Sequence, residues 1–393
     1  MVRQAERMHG LTSAIFSQIA DLQKKAIDSG KDVIQLSIGS PDLAPARHII
    51  DALQKGAEGL NSYGYTLTKG RPELLAAIAD WYETKFGVEL DANSEVHSLV
   101  GSQEGLAHIA LCLVNPGDYV LIPDPGYPIY SAGPLVAGAN LYRMKLTPEN
   151  NYLPDLNAID ESILKRAKLM ILNYPNNPLA ATATPEFFAK VVDLARKYDF
   201  IVCHDFAYSE LVFDGYRQAS FLSIPGAKEV GVEFNSLSKT YNMCGCRVGY
   251  VVGNAEVISI LSRLKSNFDY GVFAPIQQAA VAALTGPQDC VNNTVAAYQR
   301  RRDIMVEGLN DAGWKVDKPI ASMYIWAKVP TNQSSFDFTV DLLNNTGVAV
   351  IPGVAFGDCG EGYVRIALVQ PEARIAEAVA RIKAWLGNGG GTK

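Results

Sequence analysis

The chain has 393 residues, 48% of them hydrophobic and 19% charged, an ordinary globular composition with length enough for a large core and two domains. Its net charge of −6 argues against a surface that binds nucleic acid or anionic membrane. No stretch approaches the roughly 20 apolar residues of a membrane span, and the polar opening, residues 1–7, is followed by no apolar run of signal-peptide length, so a cytoplasmic location is expected.

In chain order, Ile15, Ile19, Leu22 and Ile27 fall near helical spacing and predict an N-terminal arm with an amphipathic helix. A short strand is expected over residues 33–38, running into the turn Gly39-Ser40-Pro41-Asp42. Residues 48–56 read as helix and 63–70 as a glycine-bounded loop. Pro72 opens a longer helix to Phe86, since proline suits a first helical turn. From residue 96 the pattern becomes strand (96–100), glycine loop (101–105) and helix (106–114). A glycine-rich loop opening a helix can present N–H groups to an anion.

Further short apolar strands follow at 119–122, 168–172, 200–203, 231–234 and 248–252, with helical segments such as 185–198 between them. This alternation predicts an α/β fold whose large domain holds a mostly parallel sheet. After about residue 285 the texture changes to a long charged helix (291–312), strands at 323–328, 348–351 and 363–368, and helices at 336–345 and 372–386. That is α+β texture, and the expected division is an arm and part of a small domain in 1–45, a large domain in 46–284 and the rest of the small domain in 285–393. The glycine-rich tail, residues 387–393, is expected to be flexible.

Ligands of open α/β sheets sit at the carboxyl ends of the strands. Tyr127, Asn177, Asp205, Tyr208 and Lys239 all fall just past predicted strands. Around Lys239 the stretch Phe234-Asn235-Ser236-Leu237-Ser238-Lys239-Thr240-Tyr241, with Arg247 eight residues on, puts an amine, hydroxyls and a guanidinium together. The amine can form a Schiff base with an aldehyde, and the hydroxyls and guanidinium can hold a phosphate. One small molecule carries both groups, pyridoxal phosphate, whose sites also supply a carboxylate to the pyridine nitrogen. Arg365 lies inside an apolar strand, and an inward-pointing arginine there needs an anion such as a substrate carboxylate. Taken singly, these residues have plainer readings: Asp205 as a helix cap, Tyr127 and Tyr208 as packing aromatics, Ser236 and Ser238 as turn formers. Their joint placement at strand ends favours one shared site.

The six cysteines are sparse. Cys112 and Cys203 sit in apolar runs, and Cys244-Gly245-Cys246 is not the C-x-x-C of redox or zinc sites, so reduced thiols and no metal are expected.

Asn177-Pro178, Asp205-x-x-Tyr208 and Ser236-x-Ser238-Lys239 with Arg247, followed by Arg365, resemble the fold-type I pyridoxal-phosphate aminotransferases of class I/II, and the resemblance covers nearly the whole chain. Stretches such as Ser238-Lys239-Thr240-Tyr241-Asn242-Met243 are most similar to the LL-diaminopimelate aminotransferase group. The resemblance implies that Lys239 carries the cofactor and moves the Cα proton, and that Asp205 pairs with the pyridine nitrogen. It implies that Tyr208 and Asn177 bond the phenolic oxygen and that Tyr127 stacks on the ring. Ser102, Gln103, Ser236, Ser238 and Arg247 would hold the phosphate, Tyr65 would reach the phosphate of the neighbouring subunit of a homodimer, and Arg365, with Gly39 and Asn177, would bind the substrate α-carboxylate. The implied reaction is transamination between an amino acid and a 2-oxo acid, with glutamate/2-oxoglutarate as one pair. Alanine or aspartate as donor, or C–S lysis on the same fold, are the alternatives. A non-catalytic regulator of this fold would carry an added DNA-binding domain, for which the chain has no spare length or basic patch.

The chain departs from the family pattern in three places. Asn-Pro-Thr-Gly is Asn177-Pro178-Leu179-Ala180 here, and Thr-Gly-Trp is Cys244-Gly245-Cys246. The tyrosine of the arm and the lysine of the phosphate loop found in the diaminopimelate group correspond to Ala14 and Gln103.

Overall fold

The computed structural model describes residues 2–8, 11, 14–66 and 69–390. The predicted loop 63–70 therefore falls partly outside the described residues, as do the last three residues of the tail. Among the described residues three sheets organise the chain. The largest has seven strands: β2 (Val96–Leu99), β3 (Tyr119–Asp124), β4 (Asn140–Lys145), β5 (Ala167–Asn173), β6 (Ile201–Asp205), β7 (Gly231–Ser236) and β8 (Gly249–Gly253). Their order is β2-β8-β7-β6-β5-β3-β4, and all run parallel except β8, which is antiparallel to both β2 and β7. This is the α/β architecture with a mostly parallel sheet that the strand–helix alternation predicts.

The central strands are readable because helices cover both faces of the sheet, so β5, β6 and β7 are near-continuous apolar runs. Alternate residues feed two cores. Met170, Leu172 and Val202 pack with Phe188 on one face, and Leu169, Ile171, Cys203 and Phe234 pack with Leu106 and Ile109 on the other. Edge strand β4 carries Arg143 and Lys145 and is mostly exposed or half-buried. Charge on an edge protects it from pairing with another chain, and it also erases the apolar signal, so the sequence predicts no strand there.

The helix Pro72–Phe86 has its predicted bounds. Pro72 sits in the first turn, and Gly87, at φ 66°, turns its N–H onto the Glu83 and Tyr82 carbonyls. Residues 101–105, expected to be a loop, are instead the start of the helix Ser102–Leu113. Gly101, at φ 80°, turns the chain sharply out of β2, and Glu104 reaches back to accept from the Val100 N–H at 3.2 Å, so the turn needs no further loop.

The other sheets join the two ends of the chain. β1 (Ile34–Gln35) is shorter than expected and pairs in parallel with β10 (Val348–Ala349). The strand predicted over 348–351 is broken at Val350. Its second part, β11 (Ile351–Pro352), leaves β1 and pairs antiparallel with β12 (Tyr363–Ala367), which pairs with β9 (Tyr324–Lys328). A separate core holds β1, β9, β10 and β12, with Ile34, Leu36, Trp314, Phe338 and Ile375 among its members. Among the described residues no helix is long and apolar enough to cross a membrane, and all six cysteines are free thiols.

Candidate active site

β5, β6 and β7 end side by side beneath a cavity of about 420 Å³. Its wall brings together Gly39, Ser102, Gln103, Tyr127, Asn177, Asp205, Tyr208, Ser236, Ser238, Lys239, Arg247 and Arg365, residues that sequence reasoning gathers from the whole length of the chain.

Asp205 is the last residue of β6 and is only 6% exposed. Its Oδ2 accepts from the Tyr130 hydroxyl at 2.8 Å and its Oδ1 from the Ala207 N–H at 3.2 Å. Burial pushes its carboxyl up from the ordinary range, while the Tyr130 hydroxyl, the Ala207 N–H and the nearby Lys239 charge act the other way. A positive group brought against it would hold it ionised.

Lys239 stands in the single helical turn Leu237–Thr240 after β7. Ser236 caps that turn, accepting from the Ser238 N–H at 3.1 Å, so it is a turn former and a cavity residue together. The Lys239 amine donates to the Gly39 carbonyl at 2.5 Å across 200 residues of sequence. Only glycine fits at 39: a Cβ there would lie 1.9 Å from the Tyr324 hydroxyl.

Arg247 lies over the start of the helix Ser102–Leu113, and a Cβ on Gly101 would meet its Nη2 at 2.3 Å. The free N–H groups of that helix, the hydroxyls of Ser102, Ser236 and Ser238, and the guanidinium thus face one space, which is a cradle for an anion. The Tyr127 hydroxyl donates to Gln103 Oε1 at 3.1 Å beside it.

Arg365 is the deepest cation of the site at 4% exposure. It donates to Asn177 Oδ1 at 2.9 Å and to the Ser37 carbonyl at 2.6 Å, and its guanidinium lies 4.3 Å from the Tyr324 ring and 4.8 Å from the Phe356 ring. Its Nε has no partner, and no described carboxylate pairs with it. A buried guanidinium without a counter-ion favours the arrival of an anion. Asn177 is itself fixed, its N–H bonded to Asn173 Oδ1 at 2.7 Å and its amide 3.4 Å from the Tyr208 hydroxyl, which is 3.2 Å from that of Tyr324. Burial pushes the Tyr208 phenol up.

The Leu179-Ala180 departure leaves the turn after Asn177 intact. Asn176 closes it, its Oδ1 accepting from the Leu179 N–H at 3.0 Å and its carbonyl from the Ala180 N–H at 3.0 Å, with Ala180 held at φ 55°. Of the two cysteines of the C-x-C, Cys244 lines the cavity and Cys246 does not. Tyr65 is apart from this cavity, 81% exposed with its ring 5.0 Å from that of Tyr270. The Ala14 side chain lies outside what is described. Sequence reasoning missed Tyr130 and Tyr324, whose spacing announces nothing, and it read the helix Ala14–Asp28 only as amphipathic although Phe16, Ile19, Ala20 and Gln23 line the cavity. It also missed a group of potential metal ligands, Glu104, His108 and Asp269. The Lys265 ammonium already stands there, 2.8 Å from Glu104 and 2.9 Å from Asp269.

The cavity thus gathers an amine (Lys239), a cradle for an anion and a buried carboxylate (Asp205). The family model for aminotransferase class I and II matches residues 31–382. The chain belongs to the class I and II aminotransferases. Curated relatives of this aminotransferase include the LL-diaminopimelate aminotransferases of Moorella thermoacetica, 49% identical over 98% of this chain and 99% of that protein, and of Desulforudis audaxviator, 49% identical over 98% of each. Among solved structures, substrate-bound BacF from Bacillus subtilis superposes with a TM-score of 0.94 at 36% identity, covering 98% of both chains. A probable N-succinyldiaminopimelate aminotransferase from Thermus thermophilus gives 0.90 at 37% identity, covering 94% of this chain and all of that one. The chain is an enzyme, a transaminase, and is most like the LL-diaminopimelate aminotransferases.

Proposed function

We propose that this aminotransferase binds pyridoxal phosphate in the described cavity and moves the α-amino group of LL-diaminopimelate to 2-oxoglutarate, a step fit for lysine biosynthesis. The observation that carries the reading is the pairing, in one cavity, of the Lys239 amine with the buried, uncompensated Arg365. Bound there, the cofactor would supply the electron sink that lets a Cα proton leave an amino acid. Ser102, Gln103, Ser236, Ser238 and Arg247 would hold its phosphate and Tyr127 would lie against its ring. Asp205 would hold its ring nitrogen protonated, because a buried carboxylate favours a positive partner. Tyr208 and Asn177 would bond its phenolic oxygen. Arg365, with Asn177 and the Gly39 backbone, takes the substrate α-carboxylate and so turns the Cα proton toward Lys239. The Lys239 amine would remove that proton and hold it for return.

Tyr65, exposed in the single chain, belongs to the cradle of a neighbouring subunit in this reading, which makes the enzyme a homodimer with shared sites. The large domain is 46–284, with 1–45 and 285–393 forming the smaller one, and the enzyme works in the cytoplasm. The names of the relatives support the donor. The test is to mix the holoenzyme with 2-oxoglutarate and LL-diaminopimelate, aspartate or alanine, and to measure glutamate. Glutamate formed fastest with diaminopimelate is expected; glutamate from alanine or aspartate alone would replace the donor and leave transamination standing.

A further inference from the structure

The helix Ala14–Asp28 turns one stripe to the active-site cavity: Phe16, Ile19, Ala20 and Gln23, at positions i, i+3, i+4 and i+7. Three of these are apolar. Gln23 is only 4% exposed, yet its amide makes no hydrogen bond to any other described residue. The amide is not sealed in the core; it opens onto the cavity, where its donor and acceptor are free for a ligand.

The rest of the lining sharpens the point. Among the described residues its charged side chains are Asp205, Lys239, Arg247 and Arg365, and each is engaged by the cofactor or the α-carboxylate in the reading above. Most of the other polar groups are bonded within the fold: Ser37 to Gln35, Ser40 to Cys244, Gln103 to Tyr127, and Asn177 and Tyr208 to Arg365 and Tyr324. Among the described lining residues of this chain, the Gln23 amide and the Gln103 NH₂ then remain free besides the serine hydroxyls, and Gln103 is given to the anion cradle in the reading above.

We propose that Gln23 determines specificity by hydrogen-bonding the far end of the amino donor's side chain, with Phe16, Ile19 and Ala20 packing on the methylenes that lead to it. The donor class is an α-amino acid with a several-carbon apolar side chain ending in a polar group. A primary amide both donates and accepts, so it satisfies a terminal carboxylate through its NH₂ and a terminal ammonium through its carbonyl without a charge of its own. A zwitterionic end like that of diaminopimelate uses both. The inference rests on the transaminase reading of the same cavity.

The experiment compares holoenzyme with Gln23→Met and Gln23→Glu, measuring kcat and KM for LL-diaminopimelate, L-lysine, L-2-aminoadipate and L-norleucine, with cofactor absorbance as the check that each variant is loaded. These donors share an apolar stem and differ at the tip. Gln23→Met is expected to lower kcat/KM for the polar-ended donors relative to norleucine by about 10- to 100-fold, mostly through KM, as loss of a hydrogen bond to a charged group would. Gln23→Glu is expected to raise lysine relative to 2-aminoadipate, because a carboxylate accepts from an ammonium and repels another carboxylate. A purely structural role would lower all four donors by one factor, and that result overturns the assignment. So does a norleucine preference in the wild type, or ratios unchanged in both variants. If the wild type ignores diaminopimelate but prefers another polar-ended donor, and Gln23→Met abolishes that preference, the donor reading falls and the role of Gln23 stands.

Discussion

β6 and β7 carry buried polar groups on both faces of the sheet, and the two sets are treated in opposite ways. On the face away from the cavity, His204 and Glu233 are cross-strand partners with no exposure. The Glu233 carboxylate accepts from the Tyr82 and Ser220 hydroxyls, the His204 Nδ1 and the Phe221 N–H, all at 2.8 Å. Across the strand ends, Asp205 accepts two bonds, Arg365 leaves Nε unpartnered, and Gln23 has none. All these residues are nine-tenths buried or more, but the second set opens onto the cavity and keeps hydrogen-bonding capacity free. A buried charge whose donors all belong to the fold stabilises the frame, and one with spare capacity is held ready for a ligand.

If that contrast is right, cavity residues should govern turnover with little effect on stability, and the Glu233 cluster the reverse. The largest effect should come from Lys239→Ala. Removing the proton-transfer group alone costs roughly 10²–10⁴-fold in turnover, while the apoprotein should melt near the wild-type temperature, because the amine's single bond is to Gly39. Glutamate formation at the normal rate would refute the role given to Lys239. Next comes Glu233→Leu. It strands four donors in the core, and breaking a buried charged cluster on one side costs about 3–5 kcal/mol. Chemical denaturation should show that loss; an unchanged midpoint would break the comparison.

How much of this is legible in the sequence follows from range. The apolar runs of β5, β6 and β7 and the proline start of Pro72–Phe86 are local signals, and they lie where expected. Asp205, Lys239, Arg247 and Arg365 stand out because charged residues at strand ends or inside apolar strands are chemically conspicuous. Contacts between distant segments leave no such trace. Nothing near Tyr324 announces that its hydroxyl meets Tyr208, 116 residues away, and nothing near Ser37 says that its carbonyl takes Arg365, 328 residues on. The helix at Ser102 begins early because Glu104 folds back on Val100, a bond that spacing allows but does not require. Gln23 is invisible for a related reason: a glutamine on an amphipathic helix reads as surface until the cavity beside it is known.

Arg365→Met sharpens the comparison from the cavity side. Methionine keeps most of the buried volume and removes the charge. Donor kcat/KM should fall by about 1.5–3 kcal/mol of binding, roughly 10- to 150-fold, with KM rising. Stability of the apoprotein should hold or improve, because an uncompensated buried guanidinium gives way to an apolar group. A donor KM equal to that of the wild type would remove Arg365 as the carboxylate anchor. A large loss of apoprotein stability with no kinetic effect would move it to the framework class with Glu233.

The smallest effect should be that of Ala180→Gly, at the seam between the two classes. Ala180 sits at φ 55° in the turn beside Asn177 and is 5% exposed. The left-handed conformation costs an L-residue about 1–2 kcal/mol. Glycine would relieve that, but it adds about 0.5–1 kcal/mol of backbone entropy to be lost on folding and forfeits about 0.8 kcal/mol from the buried methyl. The terms nearly cancel, so denaturation should report a change within about 1 kcal/mol of zero. Turnover should be unchanged, since Asn176 closes the turn through its own amide and carbonyl whichever residue follows. A gain well above that bound would mean that the methyl contributes little and that the turn is a strained element of the site. A loss would mean that alanine packs the turn better than the family's glycine could, and that the position of Asn177 against Arg365 depends on that packing.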